Sequence, residues 1–391
     1  MKMAKYKLND IIIRANTKVD KDTANLIYYV GGEHFTSGDV VVDQRGLIEG
    51  STIGPMFYYG FKAGQFLLVS RNPHLKKAGV VDFDGICSEK TFVLETADPS
   101  VLSPRFLPFV LQNDRFWEYA VANRHGSTNF FINWATLSAY EFDLPSIEEQ
   151  EKLADILWAL VATKKKYEKL LQKTDELVKS QFIEMFGLPE KNEHGYELAC
   201  IGDVVCDVHY GTSKKASDDG EYTYLRMNNI TYGGELDLPD IKRINVPEKE
   251  ISGCLVKKGD VLFNRTNSRD LVGKTCAFNL DEPMIIAGYI IRLRMNGRVL
   301  PEYLSTFLNL ESSKKMLMEM AKGAVGQANI NAQEVQSIAI VVPPMEVQLP
   351  FLRLIEQSDK SKFVALQTTI FELYTCMIKS LLIYGGQSYA E

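Results

Sequence analysis

The chain has no stretch of the ~18 uncharged apolar residues that a membrane-spanning helix needs. Basic residues open it, in Met1-Lys2-Met3-Ala4-Lys5-Tyr6-Lys7, but no apolar run follows, so no secretory leader is expected. Cysteine is scarce. The six, at 87, 200, 206, 254, 276 and 376, form no Cys-x-x-Cys pair. A zinc ribbon is thereby excluded, a disulfide framework is not implied, and a reducing cytoplasm is the expected compartment. Excess positive charge is also missing: 44 Lys and Arg stand against 50 Asp and Glu, a net charge of −6. That excludes coating nucleic acid by bulk charge and leaves room for a local basic surface. The five histidines, at 34, 74, 125, 194 and 209, lack metal-ligand spacing.

Catalytic motifs are lacking too. There is no Gly-x-Gly-x-x-Gly. Gly273-Lys274-Thr275 looks like the end of a phosphate-binding loop, but Ser268 stands where that loop needs its other glycine. Pro343-Pro344 has neither the preceding Asp or Asn nor the following aromatic of an amino-methyltransferase pocket. Pro239-Asp240 is not followed by a separate Asp/Glu-x-Lys, so a nuclease core is unsupported.

What is present is apolar material for more than one domain: 46% of 391 residues are hydrophobic. The chain also repeats itself once, at an offset of about 195 residues. Tyr29 matches Tyr224. Lys62-Ala63-Gly64-Gln65-Phe66-Leu67 matches Lys257-Lys258-Gly259-Asp260-Val261-Leu262. Arg71 and Gly79 match Arg265 and Gly273, Pro104 matches Pro301, and Ile132-Asn133 matches Ile330-Asn331. Pro145, Gln150 and Gly187 match Pro343, Gln348 and Gly385. The order is kept throughout.

Each half begins with short β-branched and aromatic runs cut by turn residues, which read as strands. In the first half these are 27–30, 39–42, 65–69 and 91–94, followed by a helix-like stretch over 104–122. Each half then closes on a long helix. The first is expected to start at Ser146-Ile147-Glu148-Glu149, a capping box, and to stop at Gly187. Its seam is Leu153, Leu157, Leu160, Tyr167, Leu171, Leu177, Val178, Phe182 and Met185, with Lys164 and Thr174 as weak points. The second has the seam Leu352, Phe363, Leu366, Ile370, Leu373, Met377, Leu381 and Tyr384. Asp359 interrupts it, and Pro350 predicts a kink or a late start. Both stripes have coiled-coil spacing, and two helices that overhang their domains most simply pair antiparallel.

Local basic clusters recur at matching positions of the repeat. Candidate DNA contacts in the first half are Lys62, Arg71, Asn72, Lys76 and Lys77. In the second half they are Tyr210, Lys214, Lys215, Arg226, Asn228, Lys258, Arg265, Asn267, Arg269 and Lys274. Arg and Asn pair bidentately with guanine and adenine edges, whereas Lys mostly meets phosphate.

The Pro145-Ser146-Ile147-Glu148-Glu149-Gln150 helix start, its degenerate copy from Pro343 to Gln348, and the run Gly259-Asp260-Val261-Leu262-Phe263-Asn264-Arg265-Thr266 resemble a specificity (S) subunit of a Type I restriction-modification system. Gly126-Ser127-Thr128 and Gly323-Ala324-Val325, each with Ile-Asn downstream, fit the same pattern, while Gly64-Gln65 stands where the family usually has Gly-Asp. The resemblance implies an α+β chain with two similar target-recognition domains related by pseudo-twofold symmetry. Two long antiparallel helices forming a coiled coil would join them. The expected boundaries are domain 1 over 1–145, the central helix over 146–187, domain 2 over 188–343, and the distal helix with a short tail over 344–391. It further implies a non-catalytic subunit that reads a bipartite asymmetric site in double-stranded DNA and docks two methyltransferase subunits. S-adenosylmethionine would belong to those subunits, ATP and Mg to restriction and translocation subunits, and no cofactor, metal or membrane to this chain. Two other readings stay open: a protein-only coiled-coil scaffold, and a single-chain methyltransferase with an unfamiliar cofactor loop.

Overall fold

Two apolar strands anchor the two halves. Phe66–Val69 and Asp260–Asn264 are buried along their whole length, each hydrogen-bonded on both sides. A computed structural model describes residues 3–20, 25–321 and 328–362. It divides into two compact units, one running to Tyr167 and the other from Glu168 to Leu366.

In the first unit the antiparallel order is Ile12–Ala15, Thr91–Thr96, Phe66–Val69, Ala78–Val80. A second sheet orders Gly46–Leu47, Tyr28–Val30, Gly85–Ser88 and Phe57–Phe61, and its middle pair is parallel. The second unit repeats this element for element. One sheet runs Val205–Tyr210, Ile290–Met295, Asp260–Asn264, Thr275–Ala277. The other runs Lys242–Ile244, Tyr222–Leu225, Met284–Ile286, Leu255–Val256, again with its middle pair parallel. Each unit also pairs its first strand with its last: Ala4–Lys7 with Glu141–Leu144, and Glu197–Cys200 with Ala339–Val342.

The repeat extends to single hydrogen bonds. Gln150 and Gln348 are both fully buried. Gln150 Oε1 accepts from the Ser103 amide at 2.9 Å, and its Nε2 donates to the Val101 and Pro145 carbonyls. Gln348 Oε1 accepts from the Leu300 amide at 2.9 Å, and its Nε2 donates to the Arg298 and Pro343 carbonyls. The Gly64 and Gly259 turns both take positive φ, 89° and 91°, which favours glycine. After them, Gln65 Oε1 accepts from the Lys62 amide as Asp260 Oδ2 accepts from the Lys257 amide. The Gln65 departure therefore keeps the turn bond. Across the sheet, Asp260 holds Arg294 and Gln65 holds Glu95, so the partner changed with it.

Two local expectations are corrected, and one of the two alternatives at Pro350 falls away. Residues 39–42 make no named strand; Val41 only bridges Val80, and Val42 donates to the Val80 carbonyl at the sheet edge. The stretch 104–122 is two helices, Leu107–Leu111 and Asp114–Ala122. Asn113 caps the second, its side chain accepting from the Arg115 amide, while Gln112 turns aside to bond the Asp39 and Ala78 carbonyls. The distal helix does not start late: residues 345–362 are helical on both sides of Pro350. Phe351, 1% exposed and wedged against Phe182 and Phe186, holds the segment where the proline forgoes an amide bond.

The central helix spans Ile147–Phe186, 40 residues, or roughly 60 Å. At its start Glu149 reaches back to the Ser146 amide, and the serine hydroxyl donates to Glu149 instead of accepting an early amide. It ends at Gly187, φ 70°, whose amide caps Ile183. Both weak points of the seam are accounted for: Lys164 pairs with Asp39 at 2.6 Å, and the Thr174 hydroxyl donates to the Leu170 carbonyl. Leu153 and Ala154 enter the first unit's core. Phe182 and Phe186 enter the second unit's core with Tyr303 and Phe351. Within the second unit the two long helices are antiparallel. Phe351 meets Phe182 and Phe186, and eleven residues on, Lys362 meets Asp175, earlier in the central helix. The seam from Phe363 to Tyr384, and Gly385, lie outside the described residues.

Candidate nucleic-acid interface

In the second unit five loops converge at one end of the sheet Val205–Tyr210, Ile290–Met295, Asp260–Asn264. Arg265, just past the central strand, bonds the Tyr289 carbonyl through its amide and accepts from the Ile330 amide. Its guanidinium lies 4.9 Å from the centre of the Tyr210 ring. The Tyr210 hydroxyl accepts from the Ala332 amide at 2.9 Å, which fixes the ring. Thr212 bonds the Ile286 carbonyl and Gly288 bonds Thr212, so the loop carrying Lys214 and Lys215 is tied to the same place. Asn264 Nδ2 reaches the Met227 carbonyl, bringing in Arg226 to Asn229. Thr266–Asn267 pairs with Ala328–Asn329.

This surface is polar with exposed rings. Tyr210 and Tyr289 are 43% and 51% exposed, and Met227 is exposed beside them. Lys214, Lys215, Asn228 and Arg269 are exposed, and Asn267 is half-buried. Lys214 pairs loosely with Glu250 at 3.5 Å. Arg226 is engaged internally, its guanidinium donating to the Asp240 carbonyl and carboxylate at 2.7 and 2.8 Å. That pair holds the Asp240 carboxyl below its usual range.

The first unit carries a counterpart. Arg71 bridges Phe131, Asn72 bonds the Phe130 carbonyl, and Ile132 bonds the Ser70 carbonyl. Arg71 is exposed and Asn72 sits in a left-handed turn, φ 50°. Arg124 stacks over Phe130 at 4.3 Å, and His125 contacts the Phe131 ring and Asn133. Lys76 pairs with Asp114 at 2.6 Å, and the Lys77 ammonium donates to the Gly32 carbonyl. Sequence reasoning passed over Arg124, Phe131 and Tyr289. The one available signal was their adjacency to the Gly126 and Gly288 turns.

Three candidates stand apart. Lys62 and Lys258 are exposed but lie in the turns before the central strands, seven to nine residues from Arg71 and Arg265. At about 3.3 Å per residue that is roughly 20 Å or more, the opposite end of the sheet. Lys258 pairs there with Asp281 at 2.8 Å. Lys274 is buried, 8% exposed, and burial pushes its ammonium pKa down. It belongs to the packed base of the loop and not to its surface.

Residues 193–371 match the family described as Type I restriction modification DNA specificity domain. That match covers 179 of the 391 residues, and two curated specificity subunits are similar over more of the chain. The chain is 24% identical over 243 residues to the Type I restriction enzyme EcoKI specificity subunit of Escherichia coli (strain K12), covering 58% of this chain and 52% of that protein. The match thus spans about half the length of that relative. Identity to the StySPI specificity subunit of Salmonella potsdam is 21% over 341 residues, covering 83% of this chain and 72% of that one. The crystal structure of a Type I system S subunit from M. genitalium superposes with a TM-score of 0.51 at 12% identity, over 96% of this chain and 94% of that one. That likeness extends the specificity-subunit fold to the first unit, which the family match leaves out. Among the described residues no helix is long and apolar enough to cross a membrane, and no His/Cys/Asp/Glu group could hold a metal ion.

Proposed function

We propose that this chain is a specificity subunit of a Type I restriction-modification system and the DNA-recognition subunit of its complex, with each unit reading one half of a bipartite, asymmetric duplex site. The observation that carries the reading is the doubled loop cluster: Arg71 beside Phe131 in one unit, Arg265 over Tyr210 in the other, at matching positions of one repeated fold. A guanidinium held at a backbone-fixed position can fork onto a guanine edge, and rings beside it supply apolar contact to thymine methyls. The two clusters differ in their side chains, so the half-sites differ. Two similar readers with pseudo-twofold symmetry suit two half-sites at a fixed spacing. Lys76 and Lys214 hold exposed carboxylates whose pairing is worth little, so each can exchange its partner for a phosphate.

Chemistry then belongs to the partners. Two methyltransferase subunits, with S-adenosylmethionine, would flip out and methylate an adenine at N6. Restriction subunits, with ATP and Mg, would move and cut the DNA. This chain holds the site and carries the partners on its helices.

The test is DNA binding by the assembled complex, followed by fluorescence anisotropy across a salt series. Binding should weaken steeply with salt, as counterion release requires. Lys76→Ala should lower affinity about equally for all sequences and flatten the salt slope. An assembly with no DNA affinity above that of its methyltransferase subunits alone would favour the protein-only scaffold.

A further inference from the structure

Two buried lysines of the second unit have no acid to answer them. Lys274 is 8% exposed and Lys314 is 7% exposed. Lys314 Nζ donates to the Gly273 carbonyl at 2.9 Å and lies 5.0 Å from the centre of the Tyr232 ring. Lys274 is the next residue, and among the described residues its ammonium has no hydrogen bond or ion pair. That ammonium is not sealed from solvent. Burial lowers the pKa of both groups, and the charges that act on Lys314 are those of Lys179 and Lys274, which push the same way. Tyr232, 48% exposed, stands at the rim. A buried charge without a partner is costly, so the arrangement calls for an anion.

The first unit shows that the fold does not require it. The Val69 amide donates to the Lys77 carbonyl as the Asn264 amide donates to the Lys274 carbonyl. Gln112 Nε2 donates to the Ala78 carbonyl as Asn309 Nδ2 donates to the Thr275 carbonyl. By this pairing Lys77 is the counterpart of Lys274, and Lys76, not Gly79, holds the left-handed place of Gly273, φ 46° against 78°. The Lys77 ammonium is satisfied by the Gly32 carbonyl at 2.6 Å. Gly32 and Met227 each open the short turn after a matching strand. In the second unit Asn264 Nδ2 takes the Met227 carbonyl, and Lys274 is left over. The helices Asp114–Ala122 and Glu311–Met320 also correspond, which sets Lys314 in the place of Trp117. Trp117 is a neutral indole, 1% exposed and bonded to Gln112 at 2.8 Å. The second unit thus carries two unanswered charges where the first carries none.

We propose that Lys274 and Lys314 form a phosphate-binding recess, with Tyr232 at its rim, and that a DNA backbone phosphate beside the bases under Arg265 fills it. Lys meets phosphate as a point charge and so positions the duplex without reading it. The place favours DNA over a carboxylate of a protein partner. Lys274 closes the hairpin that Arg265 opens, and Tyr232 follows the Arg226 to Asn229 turn that Asn264 ties to the same cluster. The phosphate chemistry rests on the lysines alone; its source, duplex DNA, rests on the function proposed above.

The first test uses the full chain with inorganic phosphate, read by thermal shift against chloride at equal ionic strength. Wild type should show a saturable rise in melting temperature. Lys274→Met with Lys314→Met should keep only the general, non-saturating effect of a kosmotropic anion. Methionine is apolar and unbranched like the lysine stem, and the Gly273 carbonyl keeps the Thr275 hydroxyl at 3.0 Å, so the double variant should melt no lower than wild type in chloride. The second test is DNA binding by the complex with its methyltransferase subunits across a salt series. The double variant should flatten the slope of log affinity against log salt by about 0.9, the counterion release of one phosphate. Its affinity should fall equally for cognate and unrelated duplexes. No saturable shift in wild type, a saturable shift that survives in the double variant, or a double variant that melts far below wild type would overturn the site. A lost phosphate shift with an unchanged salt slope would overturn the DNA assignment: the ligand is then a free phosphate or nucleotide if assembly is intact, and a partner's carboxylate if assembly is lost. Failure of the DNA-reading proposal would instead show as an assembly with no DNA affinity above that of its methyltransferase subunits, and would leave the phosphate shift of the free chain in place.

Discussion

Gln150 and Gln348 show how much a single side chain can organise. Each ties the first turn of a long helix to the segment before the domain's helical layer, through one accepted and two donated bonds. Gln150→Ala or Gln348→Ala leaves buried backbone groups unpaired. Each should cost about 2–4 kcal/mol in the unfolding of its own unit, read by urea denaturation. Lys314 makes a different residue-scale case. It is 7% exposed, donates to the Gly273 carbonyl at 2.9 Å, and burial, with Lys179 and Lys274 nearby, pushes its pKa down to about 7. The unfolded chain keeps that proton up to about 10.5. Between those values the unfolded state binds more protons, so stability rises with pH, by at most about 1.4 kcal/mol per unit. Wild type should therefore gain melting temperature from pH 7 to 9, and Lys314→Met should show a flatter profile over that window. At this scale the sequence was least legible. Lys62 and Lys258 sit near Arg71 and Arg265 in the chain but are a strand's length away in space. Lys274 looks like a surface lysine and is buried. Arg226 looks like a free donor and is held by Asp240.

Among elements, the repeat and the central helix were the most legible parts, because periodic apolar positions and a capping signal do not depend on distant contacts. The central helix runs from Ile147 to Phe186, within a residue of where its caps place it. The failures were tertiary. Residues 39–42 have strand composition, but only a sheet edge is open to them. Pro350 is tolerated because Phe351 is clamped by Phe182 and Phe186. Removing one heptad from each long helix, Lys164–Leu170 with its partner stretch, keeps the seam in phase and shortens the helices by roughly 10 Å. At ~3.4 Å per base pair step, that is about three base pairs. The shortened complex should modify the same half-sites with a spacer one to three base pairs shorter, or be inactive if the DNA twist cannot follow. Sequencing the methylated sites decides it, and an active variant with an unchanged spacer means that the partners set the spacing.

At the scale of the whole molecule, two copies of one fold present different loops from the same end of the corresponding sheet. The acidic net charge of −6 is compatible with DNA reading if basic groups are gathered at those loops and partners share the phosphates. The most direct test of two independent readers is to map methylated sites in cells that express the complex with Arg71→Ala or Arg265→Ala. Each substitution should cost about 1–3 kcal/mol at the bases it reads. Arg71→Ala should relax one half-site and leave the other intact, and Arg265→Ala should do the reverse. If either variant blurs both half-sites equally, or if both leave the modified sequence unchanged, the two loop clusters are not the readers.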